Sequence, residues 1–272
     1  MSLITITAGI GCGAEAIARL LAQTLNLVCY DDQGLQEKAV AMGVASDDLR
    51  GLDERMPGLF NRLLHLKPES YLEVMEAVIF EISGQDDAII LGHGAPFLLR
   101  DFDCALHLRI YATDASRIDY LVDTQGVSSE AAGNLIRKSD HERKGFMQFA
   151  FRINWDDPSL FDLIINKDKL GIDGAVEVIT AARQTENINV CSLSALDAME
   201  RMALAKRVEA TIIKNVVNPG NYHVTVPEVG IVYLTGLINP LESKDRLLDA
   251  VKSVSGVKEV YTDLDPERIH DF

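Results

Sequence analysis

A glycine-rich turn joins an apolar segment to a helical segment at the start of the chain. Residues 3–7 predict a buried strand, and Ala14–Leu25 carries apolar residues at helical spacing. Glycines in such a turn let an anion approach the main chain, and the N–H groups of the following helix attract it. The turn therefore predicts a phosphate or nucleotide site. Its expected residues are Gly9, Gly11, Cys12, Gly13, Ala14 and Glu15.

The side chains after the turn do not complete the usual P-loop pattern. In that pattern Lys and Ser or Thr follow the last glycine, where Lys neutralises phosphate charge and the hydroxyl holds Mg²⁺. Ala14 and Glu15 stand in those places here. Two unit charges ~4 Å apart interact by ~4 kcal/mol at an effective dielectric of 20. A carboxylate beside a phosphate would therefore weaken the site, unless Glu15 points away.

Two other interpretations of the turn remain open. Gly11, Gly13 and Ala16 fit the dinucleotide fingerprint G-x-G-x-x-A, and Asp31 or Asp32 falls near the expected offset for a ribose-binding acid. A tight connection from strand to helix with no ligand is the second interpretation.

Strand and helix patterns alternate through the first two-thirds of the chain. Short apolar strands separated by helices predict an α/β fold with a parallel sheet covered on both faces. The predicted strands are 3–7, 27–30, 88–91, 104–111 and 163–166. The predicted helices are 14–25, 35–42, 59–66, 70–84, 115–125, 129–150 and 173–182.

Polar residues at the predicted strand ends are candidates for an acceptor site, because ligands of parallel sheets lie beyond the carboxyl ends of the strands. Asp31 and Asp32 follow the second strand, and His93 follows the third within Gly92-His93-Gly94. His93 is expected either to contact a phosphate or act as a base, or only to hydrogen-bond locally.

A run of cations in the 129–150 helix predicts a lid over phosphates. Its alternative is a solvated helix face. Arg117 lies in the first turns of the preceding helix and is expected to contribute positive charge toward the same phosphates. The expected catalytic residues are Arg117, Arg137, Asp140 and Arg143, with Lys138 and Lys144 nearby.

Composition excludes several classes of function. The net charge is −15, with 26 basic and 41 acidic residues, which argues against a nucleic-acid partner. Four widely spaced cysteines show no metal-ligand spacing, so no metal site of the protein's own is expected. No export signal and no apolar run of about 20 residues is seen, so a cytoplasmic protein without a membrane span is expected. The sequence does not define the oligomeric state, and a homo-oligomer is one possibility.

The pattern changes after a polar linker over 184–194. A helix over 195–217, strands over 222–226 and 230–235 joined by a turn at 227–229, a helix over 240–254 and a strand over 257–264 predict a small α+β module. The expected domains are therefore 1–188 and 195–272.

Several motifs in order resemble the cytidylate-kinase-like P-loop proteins. They are the glycine turn, Tyr30-Asp31, Gly92-x-Gly94-Ala95, Tyr111-Ala112 leading into Arg117-Ile118, Asp140-x-x-Arg143 and the segment Phe161 to Asn166. The resemblance implies a nucleoside-monophosphate-kinase-like fold and phosphoryl transfer from ATP to CMP or dCMP with Mg²⁺. Two positions depart from it, because Glu15 replaces a basic residue and His93 replaces an arginine.

The C-terminal module resembles a BON domain. The resemblance rests on the 224–236 hairpin segment and on Val254-Ser-Gly-Val-Lys-Glu-Val260. Such modules are often exported and associated with membranes. Since no export signal is seen, a protein partner or a sensed ligand is expected instead.

Together these features predict a nucleotide-kinase-fold protein that holds a nucleotide or phosphate anion in a regulatory or sensing role, with little or no kinase activity. The alternative is an active cytidylate kinase that uses Mg²⁺ with ATP.

Overall fold

The computed structural model describes residues 3–42, 68–85, 87–100, 102, 104–189, 193–215, 221–238 and 244–266. The helix expected over 59–66 lies outside these residues. The chain divides into two compact units. The first comprises Met1–Met75 and Gln85–Ser192, and the second comprises Glu76–Gly84 and Leu193–Phe272.

A five-stranded parallel sheet forms the centre of the first unit, as the alternating pattern predicted. Its strand order is β2-β3-β1-β4-β5. All six residues of β1 are buried, which explains why that segment is apolar throughout. The strands are β1 (Leu3–Ala8), β2 (Val28–Tyr30), β3 (Ala88–Leu91), β4 (Ala105–Tyr111) and β5 (Leu163–Asn166).

The strand order contradicts the dinucleotide interpretation. In the dinucleotide-binding fold β2 lies beside β1, so that an acid at the end of β2 reaches the ribose. Here β3 lies between them, because β1 pairs with β3 on one side and with β4 on the other. The offset between Gly11 and Asp31 is therefore a coincidence of sequence.

Helices follow most of the strands. The first unit contains α1 (Ala14–Leu25), α2 (Asp32–Ala41), α4 (Ala95–Leu98), α5 (Asp114–Gln125), α6 (Ser129–Phe151), α7 (Lys167–Arg183) and α8 (Glu186–Asn189), while α3 (Pro68–Gln85) contributes residues to both units.

Local side chains set the helix boundaries. Thr113 Oγ1 accepts the Ser116 N–H at the start of α5, and Ser128 Oγ accepts the Ala131 N–H at the start of α6. Helix α7 begins six residues earlier than predicted, and it bends where Gly171 has a φ of 67°.

The core of the first unit packs α1 and α7 against the central strands. Ile4 and Ile6 of β1, Ile17 of α1 and Ile179 of α7 belong to one buried cluster, and each of these side chains is 0% exposed. Burial of a side chain of this size contributes roughly 1.5–3 kcal/mol. The packing fixes the carboxyl end of β1 next to the first turn of α1.

The second unit contains a three-stranded sheet of order β6-β7-β8. Strands β6 and β7 are antiparallel, whereas β7 and β8 are parallel. Leu204, Val208, Val232 and Leu247 share its buried cluster. Its further elements are α9 (Leu193–Asn215), β6 (Tyr222–Glu228), β7 (Ile231–Ile238), α10 (Lys244–Lys252) and β8 (Glu259–Pro266).

The predicted hairpin is present, but its turn lies further along the chain. Pro227 and Glu228 remain in β6, and Glu228 pairs with Ile231 after a register shift. The chain reverses at Val229 and Gly230, where Gly230 has a φ of 91°. Glycine adopts this conformation without the steric cost that a side chain would add.

Two ion pairs tie α3 residues to α9 within the second unit. Lys206 Nζ lies 2.8 Å from a carboxylate oxygen of Glu76, and Arg207 pairs with Glu81. Among the described residues, no helix is both long and apolar enough to cross a bilayer.

Candidate functional site

The glycine turn is a compact loop at the carboxyl end of β1. Gly11 and Gly13 have φ values of 81° and 73°, and Gly13 caps the N-terminus of α1. The Cys12 N–H donates to the Gly9 carbonyl at 3.3 Å. Gly9, Gly11, Cys12, Gly13, Ala14 and Glu15 therefore form one loop that leads into a helix of twelve residues, as the sequence predicted.

Arg117 of α5 packs directly against this loop. Its Nε donates to the Ile10 carbonyl at 2.8 Å. A Cβ added to Gly9 would lie 2.6 Å from Arg117 Nη2, and one added to Gly11 would lie 2.8 Å from the Arg117 carbonyl oxygen. A side chain at Gly11 would meet the backbone of Arg117, whereas one at Gly9 would have to displace the Arg117 guanidinium.

The charge of Arg117 is balanced by Asp140 of α6. Nη1 donates to Oδ2 at 2.8 Å and Nη2 donates to Oδ1 at 2.7 Å, while Asp114 lies 3.2 Å from Nη1. Burial lowers the pKa of Arg117, but the hydrogen bonds and charge of Asp140 outweigh it and raise the pKa above its usual value. Arg117 and Asp140, both expected to be catalytic, form an ion pair that braces the loop.

Cys12 is a buried thiol of this loop. It is 3% exposed and forms no disulfide. Burial raises the pKa of Cys12, against the opposing charge of Arg117. A protonated, enclosed thiol is a weak nucleophile, so the geometry favours a packing role over a reactive one.

Two of the three residues expected on the acceptor side form a second buried pair. His93 Nε2 lies 2.5 Å from Asp32 Oδ1, and both side chains are buried. Asp31 instead caps α2, where its Oδ1 accepts the Gly34 N–H at 3.1 Å. Of the two aspartates predicted on the acceptor side, only Asp32 points to the His93 segment.

The backbone around His93 is left-handed over three successive residues. Gly92, His93 and Gly94 have φ values of 83°, 54° and 74°. A Cβ added to Gly94 would lie 2.3 Å from the Phe151 ring. A non-glycine residue at positive φ costs on the order of 1–3 kcal/mol, so the contact of His93 with Asp32 helps to hold this turn.

A pocket at the carboxyl ends of β1 and β3 brings the loop and the acceptor side together. It is a narrow pocket with a cavity volume of about 20 Å³. Ligands of open α/β sheets bind at this edge, where neighbouring connections diverge. Its lining residues are Ile6, Ala8, Gly9, Ala14, Glu15, Asp32, Leu91, Gly92 and Arg143.

Two carboxylates and one guanidinium line the pocket, and one of the carboxylates, Asp32, is paired with His93. Glu15 and Asp32 both line it, and Arg143 is the cation that lines it with them. Glu15 thus contributes to the lining of the pocket next to Gly9 and Ala14. Its charge also raises the pKa of Tyr120, a smaller effect than burial of that phenol.

The cations expected to form a lid do not act together. Arg143 is 3% exposed, and its guanidinium lies 5.2 Å from the centre of the Trp155 ring. Arg137 is exposed and donates to Asn134 at 2.6 Å, and Lys144 pairs with Asp156 at 2.6 Å. Of these three, only Arg143 reaches the pocket.

Lys167 is a cation near the loop that sequence reasoning missed. A Cβ added to Gly13 would lie 3.4 Å from its Cδ and 4.0 Å from its Nζ, and the Nζ lies 5.3 Å from the centre of the Tyr120 ring. Its place in the sequence could have marked Lys167 as a candidate, because it directly follows Asn166 at the end of a predicted strand, where ligands of parallel sheets bind. Lys167 places positive charge at the N-terminus of α1.

The pocket offers limited ligation for a metal ion. The described residues contain no group of three or more His, Cys, Asp or Glu side chains that could hold one. Ala14 supplies no hydroxyl in the place where a P-loop has Ser or Thr. Glu15 and Asp32 supply carboxylate oxygens, which Mg²⁺ accepts when substrate phosphates complete its shell.

Two family models match different parts of the chain. The model of the Cytidylate kinase-like family matches residues 3–169, and that of the BON domain matches residues 202–265. Both resemblances stated from the sequence motifs are thereby confirmed.

Curated relatives point the same way. The chain is 26% identical over 174 residues to a cytidylate kinase of Desulfurococcus amylolyticus, covering 62% of this chain and 85% of that protein. It is 22% identical over 180 residues to a cytidylate kinase of Pyrobaculum islandicum, covering 65% and 90%.

A solved structure shares the fold. A protein of Eubacterium ventriosum, described as uncharacterized, superposes with a TM-score of 0.55 at 20% identity, covering 68% of this chain and all of that one.

Proposed function

This chain belongs to the cytidylate kinase-like family, and on that premise we propose that its glycine loop binds a nucleotide or phosphate anion for sensing rather than for rapid phosphoryl transfer. The BON-like unit is proposed to pass the bound state on to a protein partner. The observation that carries the proposal is the position of Glu15, which lines the pocket beside Gly9.

The loop retains the backbone features of an anion site. Gly13 is the N-cap residue of α1 and no side-chain acceptor among the described residues caps that end, so the first N–H groups and the dipole of the helix favour negative charge there. Lys167 and Arg143 add positive charge from two other elements. These features support binding of one phosphate group.

The same loop lacks what phosphoryl transfer requires. Catalysis of this reaction is mostly positioning and charge neutralisation along the phosphate chain. Arg117 is already balanced by Asp140, and the pocket presents Glu15 and Asp32 against Arg143. A triphosphate would meet repulsion where an active kinase supplies attraction.

An active cytidylate kinase is the second candidate. The two curated relatives bear that name, and Glu15 with Asp32 could ligate Mg²⁺ held by substrate phosphates. In that case Arg143 would supply charge to the transferred group.

A phosphotransfer assay with ATP, Mg²⁺ and either CMP or dCMP separates the two candidates. The sensing proposal expects little or no turnover above the spontaneous rate, together with a rise in melting temperature when nucleotides are added, since a ligand stabilises the state that binds it. Robust Mg²⁺-dependent turnover that is lost in Arg143→Ala, with folding retained by circular dichroism, would establish the active kinase instead.

A further inference from the structure

One face of the three-stranded sheet in the second unit is covered. Val224, Val232 and Leu234 point to that face and are at most 6% exposed, in a cluster with side chains of α9 and α10. Side chains alternate along a strand, so the residues between these point to the opposite face.

That opposite face carries two stacked tyrosines. Tyr233 and Tyr261 are direct neighbours in the parallel pairing of β7 and β8. Their ring centres lie 5.0 Å apart with an interplanar angle of 19°. The two residues are 43% and 47% exposed, and Leu237 on the same side of β7 is 45% exposed. The two tyrosine rings form an aromatic platform with polar hydroxyl groups, and Leu237 extends its apolar surface.

Carboxylates border the platform. Glu259, Asp263 and Asp265 lie on the same outward side of β8 as Tyr261, and all three are exposed. The strand residues Tyr222–Glu228, Ile231–Ile238 and Glu259–Pro266 contain no Lys or Arg. The Tyr261 hydroxyl donates to Glu259 at 2.6 Å, and this bond raises the pKa of Tyr261. The phenol stays neutral at physiological pH, and the face is acidic.

We propose that this face, defined by Tyr233, Tyr261, Glu259, Asp263 and Asp265, docks an arginine- or lysine-bearing segment of a partner protein. A guanidinium stacks on tyrosine rings and pairs with flanking carboxylates at the same time. A second copy of the face would bring like charges together, and an anionic membrane would be repelled. This proposal does not depend on phosphate binding at the glycine loop.

The test measures binding of a fluorescent peptide of alternating arginine and glycine to the full-length chain by anisotropy. Saturable binding that weakens as salt is added is expected, because exposed charge pairs are screened. A peptide with glutamate in place of arginine is expected not to bind.

Variants assign the binding to the face. Tyr261→Ser and the double variant Asp263→Asn with Asp265→Asn are each expected to weaken binding about three- to tenfold, the range for exposed cation–π and ion-pair contacts. The control is Glu200→Gln with Asp249→Asn, which removes the same charge from exposed positions on α9 and α10. It is expected to bind as the wild type does.

Three results would overturn the proposal. They are no saturable binding of the arginine peptide, equal loss in the helix control, or tighter association with phosphatidylglycerol vesicles than with the peptide. Circular dichroism melting of each variant checks that the exposed substitutions leave folding intact.

Discussion

Arg117 and Asp140 join α5 to α6 through two parallel hydrogen bonds of 2.8 and 2.7 Å, while Arg117 Nε holds the Ile10 carbonyl of the glycine loop. Planar recognition of this kind is specific to arginine. One buried guanidinium thus links the loop to both helices that follow β4, which assigns it a bracing role.

Arg117→Ala is expected to destabilise the first unit by about 1.5–3 kcal/mol, because the loop loses its hydrogen bond from Nε and the partly exposed Asp140 loses its partner. Trp155 is the single tryptophan of the chain and is buried, so its fluorescence during urea unfolding reports the change. The control is Arg137→Ala, an exposed residue of α6, with an expected effect within about 0.5 kcal/mol. Equal effects of the two variants would contradict the bracing role.

Gly9→Ala is expected to displace Arg117 and to lower both stability and phosphate affinity, since its Cβ would lie 2.6 Å from Arg117 Nη2. Gly145→Ala is the matched control, because its Cβ meets nothing within 4 Å on the exposed side of α6. That control should stabilise the protein by about 0.5–1 kcal/mol. Urea unfolding and titration with inorganic phosphate measure both effects. A Gly9→Ala protein as stable as the wild type would show that the close packing is not required.

The glycine loop could be predicted from the sequence because its determinants are local. Apolar residues before it, helical spacing after it and glycines between them defined α1 to the residue. The strand ends that form the pocket were equally accessible, because each is a short apolar run followed by glycine or an acid.

Contacts between distant segments could not be predicted in the same way. The ion pair between Arg117 and Asp140 depends on how α5 and α6 pack against each other. From the sequence alone, the charged residues of these two helices are equally compatible with a lid over phosphates. The position of β3 between β1 and β2 likewise arises from tertiary pairing and leaves no local signal. The turn at Gly230 lies beyond the predicted one because Pro227 belongs to the edge strand β6, at the register shift before Glu228, where no ladder donor is needed.

Cys12 is expected to resist alkylation in the folded protein. It is enclosed by the loop, and burial raises its pKa, so little thiolate forms at neutral pH. Iodoacetamide labelling followed by peptide mass spectrometry compares the native and the urea-unfolded chain. Rapid native labelling at Cys12 would support the reactive-thiol interpretation.

His107 is expected to make the first unit less stable in acid. It is buried with Nδ1 2.7 Å from the Thr5 hydroxyl and Nε2 3.2 Å from the Leu99 carbonyl. Burial lowers its pKa, although Asp162 and the Leu99 carbonyl act in the opposite direction. The unfolded chain therefore binds a proton at higher pH than the folded one, and stability falls as pH drops below about 6.5.

The variant His107→Gln removes this titration. Between about pH 7 and pH 5 the wild type is expected to lose more stability than the variant, with an excess slope of at most about 1.4 kcal/mol per pH unit. Trp155 fluorescence in urea at each pH measures it. Parallel pH profiles would show that His107 does not titrate between the two states.

The most direct test of the central claim is to change the charge at position 15 and to measure the affinity for ATP. Calorimetry with and without Mg²⁺ gives this affinity. Glu15→Lys exchanges repulsion for attraction at the loop and should bind ATP at least about tenfold more tightly than the wild type, with Glu15→Gln between them. Glu177→Lys makes the same charge change on an exposed turn of α7 and should leave the affinity unchanged. Tight Mg²⁺-dependent binding by the wild type that Glu15→Lys abolishes would contradict the account, because Glu15 would then be a ligand of the metal.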